Sequence, residues 1–377
     1  MKSLLVVPLL WACACGSSQA PSGDLGSVPD LSTADLMPQS PLGTDCSPAI
    51  LLENYTCLSG ANDYHPRDNM SMNDIWPACI SDDNTFHLLG ASAPPSAARV
   101  AAFESVGPSL WAKATLPETT AFVAAATAFG ATDGLAAQLV GLQDPHYPQL
   151  QNADTCAANA SSYPDRCAGA TKLLPVFTDA MQAGKNGSGT HVAASRLEAV
   201  LLWSFYLSAM SDSATCSLTS SVDCDSQWSD VTGGKGRDQV TGLSGYVSKL
   251  GLESKDRIVD GTLAVRCWRD FTSAGNPRDD MFNFARQQLD RALLHGLALV
   301  ARQRFSQLGC ATGQFQEGHF QFVKILVGLL DRASRTGDPS RAAKADVLKT
   351  QINAATAAAV DVAAAVAALD ALYPACP

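Results

Sequence analysis

The sequence predicts an all-α fold: a disulfide-stapled helical bundle with long C-terminal helices and a loop-rich, cysteine-containing N-terminal cap. Two observations favour a bundle over residues 97–377. Alanine and leucine dominate this part of the chain, and no run of alternating polar and apolar residues requires a sheet. The third observation concerns disulfides. Ten of the 12 cysteines follow residue 45, and so many cysteines are typical of a protein in an oxidising compartment.

Helix-start signals predict three of the helices, over residues 115–129, 277–305 and 339–372. Thr115 and Glu118 have the spacing of a capping box. The two later segments each begin with asparagine or aspartate followed by proline. Proline is tolerated at the first helical position because its missing N–H would be unpaired there anyway.

The segment 339–372 carries the clearest periodic pattern. Apolar residues with 4,3,4,3 spacing form a seam that is typical of a coiled coil. As one helix the segment would be about 50 Å long at about 1.5 Å per residue. We expect it to pack on the 277–305 helix, which has a stripe of small residues. The seam consists of Leu348, Ile352, Ala355, Ala359, Val362, Val366, Leu369 and Tyr373.

A helix near residues 191–210 contains the strongest polar candidate. Its second half is apolar apart from three polar residues, so the helix should be buried nearly all round. One of the three is Glu198, whose carboxylate would be costly to bury without a partner. His191 lies seven residues earlier, within about 20° of the same helix face. A structural ion pair with Arg286 or Arg302, a ligand or metal site, and simple exposure all stay open for Glu198.

Two further histidines lie beside apolar residues on predicted helices. His319 falls between two phenylalanines, and His295 flanks the stripe of small residues. Histidines in such places are more often satisfied core or boundary residues than ligands. If the helices bring these two together with His191 and Glu198, the four side chains would form a ligand pocket.

Residues 1–14 are predicted to be a signal peptide, because one lysine precedes a short apolar run that ends in small residues. Small residues and cysteine at this point resemble the lipobox of bacterial lipoproteins, which implies a diacylated cysteine at the mature N-terminus. Cys15, which follows Ala14 and precedes Gly-Ser-Ser, is the preferred attachment site, and it leaves an even number of cysteines. The alternatives are Cys13 and an ordinary cleaved signal. Neither cysteine is followed by aspartate, which by the same resemblance indicates the outer membrane.

Two segments separate the signal from the bundle. Residues 15–45 are dominated by Ser, Gly, Pro, Asp and Leu without a sustained period, which predicts a disordered tether with a mean reach of about 30 Å. Residues 46–96 contain three cysteines in a mixed polar and aromatic sequence. We expect a loop-rich disulfide cap there.

Two pairs of cysteines bracket short polar loops and are the preferred local disulfides: Cys156 with Cys167, and Cys216 with Cys224. The remaining pairings stay open. None of the ten cysteines belongs to a C-x-x-C motif, so zinc-ribbon and thioredoxin-like sites are not indicated.

Charge and motifs exclude several classes of function. The net charge of −10 argues against binding to nucleic acid, or to an anionic membrane through a basic face. The metalloprotease motif H-E-x-x-H, a Glu-x-x-His pair and the nucleophile motif G-x-S-x-G are all missing from the sequence. We therefore predict no cofactor, no metal and no catalytic residue.

Residues 189–198 resemble the Gly-x-His-x-x-Glu motif that imelysin-like envelope proteins carry on a helix ahead of an apolar stretch. Gly189 and His191 match the motif, whereas the next glutamate is Glu198, four residues beyond the motif's position. Proteins of that family are secreted or lipid-anchored, all-helical and of similar length. The resemblance implies that His191 and Glu198 line a polar pocket in the bundle, with iron uptake or another envelope role as the function.

Three functional hypotheses follow from the sequence. The preferred one is a non-enzymatic lipoprotein, held at the outer membrane by its acyl anchor, whose helical domain binds an envelope protein or a small ligand. It is favoured by the lipobox, the tether and the missing catalytic motifs. The second is an imelysin-like protein with a His/Glu pocket. The third is an envelope hydrolase whose site has no recognisable motif.

Overall fold

The computed structural model of the chain is all-α, which confirms the predicted fold class: none of the residues that it describes forms a β-strand. These residues belong to one compact unit, residues 31–377. The predicted signal peptide, Cys13, Cys15 and most of the predicted tether lie outside them. The described residues are 43–46, 60, 62–67, 75–90, 94–131, 135–148, 150, 155–216, 221–273, 279–335 and 340–374.

Thirteen α-helices lie within the described residues. They are α1 (Pro95–Val106), α2 (Thr119–Ala131), α3 (Leu135–Gly141), α4 (Cys156–Asn159), α5 (Leu174–Lys185), α6 (Thr190–Thr215), α7 (Ser221–Thr232), α8 (Gly242–Ser248), α9 (Leu252–Ser273), α10 (Asp279–Leu308), α11 (Gly313–Arg335), α12 (Ser340–Ile352) and α13 (Val362–Leu372). A π-helix (Gly169–Leu173) leads into α5, and 3-10 helices occur at Ile80–Asp83, Gly107–Ser109, Arg237–Gln239 and Ala357–Ala359.

Helix α6 lies at the centre of the bundle. Of its 26 residues, 20 are buried, as its apolar sequence predicts. A helix that is apolar on every face has to be covered on every face, and α5, α7 and α11 pack around α6, with α8 and α10 in contact with it. Each fully buried leucine or phenylalanine side chain contributes about 1.5–3 kcal/mol, so the many buried apolar side chains of α6 contribute strongly to the stability of the core.

The small residues of α10 bring it close to α8 and α9. A Cβ on Gly261 of α9 would lie 2.7 Å from the Cα of Leu289 in α10. A Cβ on Gly296 of α10 would lie 3.0 Å from Ile258 of α9 and 2.9 Å from Val247 of α8. The stripe on α10 therefore packs on α8 and α9, whereas the final helix was expected to cover it.

The prediction of one continuous helix over 339–372 is wrong, because the chain folds back on itself as α12 and α13. The helix stops after Ile352. Asp361 starts the next one by accepting a hydrogen bond from the backbone N–H of Ala364 at 3.0 Å, and its own N–H donates to the Gln351 side chain at 2.8 Å. Two alanines of the expected seam fall in the break, and their small side chains offer little to hold a long helix on a partner.

The two short helices pack on different partners. Helix α12 lies against α11, and α13 lies against α10, where Arg302 and Asp370 form an ion pair at 2.8 Å. Leu348 of α12 and Leu369 of α13 are both buried in the core. Folding back thus buries the large apolar residues of the seam on both sides of the break.

Four disulfides occur among the described residues. Two of them are local and join the pairs preferred from the sequence. The other two join the N-terminal region to α9 and to the turn after α10, across 188 and 264 residues. A disulfide that restricts the unfolded chain contributes about 2–4 kcal/mol. In chain order the pairs are Cys46–Cys310, Cys79–Cys267, Cys156–Cys167 and Cys216–Cys224.

Up to the start of α1 at Pro95, the described part of the cap consists of loops and one 3-10 helix, and buried side chains of the bundle hold its backbone. Gln288 of α10 accepts from the N–H of Tyr64 at 2.7 Å and donates to its carbonyl at 2.9 Å. Asp225 of α7 accepts from the N–H groups of Leu89 and Gly90. These contacts fix the cap loops over α9, where they form one wall of a cleft.

Helix α2 begins at Thr119, four residues after the capping residue expected at Thr115. Pro117 explains the delay, because the residue before a proline disfavours helical backbone. Among the described helices, no single one is long and apolar enough to cross a membrane. Helices α2 and α3 meet that test only as a pair, and the pair is bent by 64°.

Candidate functional site

Glu198 lies in a closed hydrogen-bond network in the bundle interior. Its side chain is 1 % exposed, and Arg304 of α10 donates to Oε2 at 2.6 Å while the Tyr246 hydroxyl of α8 donates to Oε1 at 2.6 Å. Arg304 also donates to the Tyr246 hydroxyl at 2.9 Å. Burial raises the pKa of Glu198 by more than its two partners, Arg304 and Tyr246, lower it, so the pKa is raised overall. Glu198 is therefore in a structural ion pair, and its partner is Arg304 instead of Arg286 or Arg302.

His319 extends this network to the N-terminal segment. It is fully buried; Arg304 Nη1 lies 3.4 Å from its Nδ1, and Asp45 Oδ1 lies 2.9 Å from its Nε2. Because a guanidinium only donates, Nδ1 accepts, and the proton is on Nε2, which donates to Asp45. Burial lowers the pKa of His319, which favours this neutral form. The neighbouring disulfide, Cys46–Cys310, keeps Asp45 in place.

His191 packs against the network without joining it. Its ring centroid lies 5.9 Å from that of His319 and 4.4 Å from that of Phe315, and neither ring nitrogen has a hydrogen-bond partner among the described residues. Burial and the neighbouring His319 and Arg304 lower the pKa of His191 to about 3, so the ring is neutral at pH 7. Gly318 makes room for it, since a Cβ there would lie 2.6 Å from Cδ2 of the ring.

Three of the four predicted pocket residues thus converge, but they do so inside the core. The contacts of Glu198 and His319 do not include His295, which lies on α10 about 13 Å before Arg304 along the helix axis. A metal ion at this place would meet the Arg304 guanidinium, which repels cations and already occupies Glu198. In the described part of the chain, no three His, Cys, Asp or Glu side chains are grouped to hold a metal.

A cleft opens elsewhere on the molecule, between the cap and α9. Its volume is about 250 Å³, somewhat below the range of about 300–1,000 Å³ for pockets that hold drug-sized ligands. It therefore suits a small ligand. The cleft is lined by His65 and Asn84 of the cap, by Arg237 ahead of α8, and by Glu253, Asp256, Arg257 and Asp260 of α9.

Arg237 organises the floor of this cleft. It donates to Asp256 Oδ1 at 3.2 Å and to Asp260 Oδ1 at 2.5 Å. Its Nε and Nη2 also donate to the side-chain oxygen of Asn84, at 3.0 and 2.6 Å. Lys255 lies 2.9 Å from the same Asp256 oxygen. Arg237 is therefore fully engaged, and its carboxylate partners raise its pKa despite its burial.

The carboxylates of the cleft keep unused acceptor positions. Arg257 donates twice to Glu253 Oε1, at 3.1 and 3.0 Å. Glu253 Oε2, Asp256 Oδ2 and Asp260 Oδ2 have no hydrogen-bond partner among the described residues. His65 Nδ1 lies 3.7 Å from Asp260 Oδ2, which is too far for a hydrogen bond. The cleft thus presents more acceptors than donors.

None of the cleft residues was expected from the sequence. The available signal is the spacing of Glu253, Asp256 and Asp260 at i, i+3 and i+7, which places three carboxylates on one face of a helix. A helix face with several carboxylates is usually exposed to solvent and binds no ligand. What turns it into a cleft is the cap loop with Asn84, and sequence spacing does not predict where that loop lies.

A third polar cluster fixes the loop after α3. His146 lies between two carboxylates, with Nδ1 3.2 Å from Asp144 Oδ1 and Nε2 3.0 Å from Asp290 Oδ2. The Tyr206 hydroxyl donates to the other Asp290 oxygen at 2.7 Å. Burial lowers the pKa of His146, but the two carboxylates raise it to about 9 overall. At pH 7 the ring is a cation that joins the loop to α10.

The chain matches no protein-family model, no curated protein and no solved structure. An all-α bundle supports many unrelated functions, so the fold alone does not select one. The function has to be argued from the chemistry of the sites.

Proposed function

We propose that this chain is a lipid-anchored protein of the cell envelope, at the outer membrane, whose helical domain binds a small organic cation without catalysis in the cleft between the cap and α9. The observation that carries the proposal is the unused carboxylate oxygens of Glu253, Asp256 and Asp260. An ammonium or guanidinium group supplies the donors that these oxygens lack. The net charge of −10 also favours the approach of cations.

The hydrogen bonds of Arg237 favour a cationic ligand over an anionic one. An anionic ligand would need free donors, and every nitrogen of Arg237 already donates to a cleft or cap residue. Asp260 is 6 % exposed and is held by Arg237, so its second oxygen has a fixed direction. A pre-arranged acceptor of this kind binds with little loss of side-chain entropy.

The anchor enters the proposal through the N-terminal sequence, with Cys15 as the acylated residue. Its support in the structure is the way the end of the tether is fastened to the bundle. The N–H of Thr312 donates to the carbonyl of Thr44 at 2.9 Å, and the N–H of Thr44 donates to the Thr312 hydroxyl at 2.9 Å. The disulfide Cys46–Cys310 closes the junction covalently. A tether that holds a domain at a membrane benefits from such a fixed junction.

The ligand is tested by calorimetric titration of the mature protein in detergent with agmatine and putrescine. We expect one cation per chain. Asp256→Asn should weaken the binding about tenfold or more, because a charge-assisted hydrogen bond contributes about 1.5–3 kcal/mol. Asp370→Asn, an exposed aspartate on α13, removes the same charge away from the cleft and should change nothing. Absence of binding, or equal affinities for Asp256→Asn and the wild type, would contradict the cleft.

The anchor is tested separately by growing cells with labelled palmitate. The wild type and Cys13→Ser should carry the label and stay with the membrane fraction, whereas Cys15→Ser should lose both. Loss in Cys13→Ser alone would move the anchor to that residue. Absence of label from the wild type would contradict anchoring and leave the cleft untouched.

A further inference from the structure

We infer a second binding site, for an oxyanion such as a phosphate group, around Tyr147 in the loop between α3 and α4. This site is lined by Tyr147, Arg166, Lys172 and Arg332, which we call the Tyr147 cluster. It shares no residue with the cleft on α9. Its ligand has the opposite charge, so it stands or falls independently of the proposed function.

Three cations from separate elements meet at Tyr147. The guanidinium of Arg332, on α11, lies 4.6 Å from the centroid of the Tyr147 ring, and Lys172 Nζ, on the π-helix, lies 5.7 Å from it. Arg166 donates to the backbone carbonyl of Tyr147 at 2.5 Å. Arg332 Nε donates to the neighbouring carbonyl of His146 at 3.3 Å. The positive charges are therefore held at one place by packing and backbone contacts.

Neither of the two guanidiniums, Arg166 and Arg332, has a carboxylate partner among the described residues. Arg332 makes its only hydrogen bond there through Nε. Arg166 bonds to the Gln143 side chain and to the carbonyls of Asp144 and Tyr147, through Nε and Nη1. Both terminal nitrogens of Arg332 and Nη2 of Arg166 thus keep unused donors, in a chain whose net charge is −10.

The nearby carboxylates are already committed to other groups. Asp144 and Asp290 hold the charged ring of His146, and Asp165 pairs with Lys172 at 2.9 Å. They reduce the positive charge of the cluster without taking the donors of the two arginines. An anion that reaches the loop therefore finds open guanidinium positions.

A further arginine increases the positive charge beside the cluster. Arg286 of α10 donates from Nε to the Ser213 hydroxyl at 3.4 Å and has no carboxylate partner within the described residues. Burial and the neighbouring Arg286 lower the pKa of Arg166, while Asp144 raises it. Asp144 attracts Arg166 and Asp290 attracts Arg286, so these carboxylates offset part of the repulsion between the two guanidiniums, and an oxyanion would relieve more of it.

The donors match an oxyanion in chemistry as well as in charge. Guanidinium groups bind phosphate and carboxylate through pairs of parallel N–H bonds. The Tyr147 hydroxyl makes no hydrogen bond within the described residues, and burial together with Asp165 and Asp144 raises its pKa to about 12. It therefore stays protonated near neutral pH, where it can donate to a ligand oxygen.

The test is a titration of the mature protein with inorganic phosphate, followed by calorimetry and by the midpoint of thermal unfolding. We expect one phosphate per chain and a higher midpoint. Arg332→Gln should weaken the binding about tenfold or more, since a hydrogen bond to a charged group contributes about 1.5–3 kcal/mol. Arg332→Lys keeps a charge and should retain part of the affinity. Arg302→Gln, whose guanidinium pairs with Asp370 instead, should bind phosphate like the wild type.

A second arm separates free phosphate from the phosphate of a lipid. The variant Cys15→Ser, which lacks the proposed acyl chain, is sedimented with vesicles of phosphatidylglycerol or of phosphatidylcholine. Binding of free phosphate, or retention by phosphatidylglycerol alone, supports the oxyanion site if Arg332→Gln weakens it about tenfold or more. Binding in neither arm, or binding that Arg332→Gln leaves unchanged, would overturn the inference.

Discussion

The ion pair of Glu198 and Arg304 gives a quantitative test of the buried network. Arg304→Met removes the guanidinium but keeps an unbranched side chain next to Phe322, whose ring centroid lies 4.6 Å from that guanidinium. Glu198 would then be almost fully buried, with the Tyr246 hydroxyl as its remaining partner. Removing one member of a buried pair costs about 3–5 kcal/mol. That is a large part of the roughly 5–15 kcal/mol by which a typical protein is stable.

The assay is urea unfolding at pH 7 with the disulfides intact, from which the free energy of unfolding is obtained by linear extrapolation. The control is the double variant Glu198→Leu with Arg304→Met, which buries no charge and should lose less stability than Arg304→Met alone. A loss below about 1 kcal/mol for Arg304→Met, the level of an exposed pair, would refute the reasoning. A double variant no more stable than the single one would refute it as well.

The same variant makes a prediction about pH. Burial raises the pKa of Glu198, and Arg304→Met takes away the cation that lowers it, so the pKa should rise further. A carboxyl group whose pKa is higher in the folded state stabilises the fold at low pH, and this stabilisation is lost as the pH rises. The deficit of Arg304→Met relative to the wild type should therefore be smaller at pH 5 than at pH 8.

His146 tests the same sign with a histidine, because its two carboxylate partners outweigh its burial and raise its pKa to about 9. A rise of the pKa from about 6.5 corresponds to about 3 kcal/mol of folding stability. This stabilisation should be complete below pH 6.5 and lost by about pH 9, as measured by urea unfolding. The variant His146→Gln should remove this pH dependence. Gly318→Ala should cost about 1–3 kcal/mol by overpacking against His191. On the same helix, a Cβ at Gly328 would meet open space, so Gly328→Ala should instead stabilise the fold by up to about 1 kcal/mol. Equal changes in the free energy of unfolding for the two variants would rule out the contact between residue 318 and His191. Thiol titration of the denatured, unreduced mature protein should find no free thiol, because four disulfides take eight of the ten cysteines and parity predicts the last two to be paired; two free thiols would contradict the parity argument.

Local patterns predicted the all-α class, the burial of α6 and the two local disulfides. An apolar stretch around Glu198 has few ways to be covered except by other helices, so its burial follows from composition. Cysteines that bracket a short loop are close in space whatever the rest of the fold does. These features depend on neighbours in the chain, which is why the sequence is enough to predict them.

Features that depend on distant parts of the chain were not predictable in the same way. The seam of 339–372 shows which residues face a core, but the same residues face it when the helix folds back at Asp361. Glu198 pairs with Arg304 and not with Arg302, two residues earlier on α10. Which of these arginines faces Glu198 depends on how α10 is rotated about its axis, and the sequence alone does not determine that rotation. The cleft likewise needs the cap loop around Asn84, whose position follows from long-range disulfides and hydrogen bonds.

The most direct test of the central claim, a lipid-anchored envelope protein, is the mass of the N-terminal peptide of the mature protein. We predict that this peptide begins at Cys15 and carries a diacylglycerol thioether on its sulfur. A peptide that begins at Cys13 with the same modification would shift the anchor by two residues. An N-terminal peptide without any acyl group would contradict the claim.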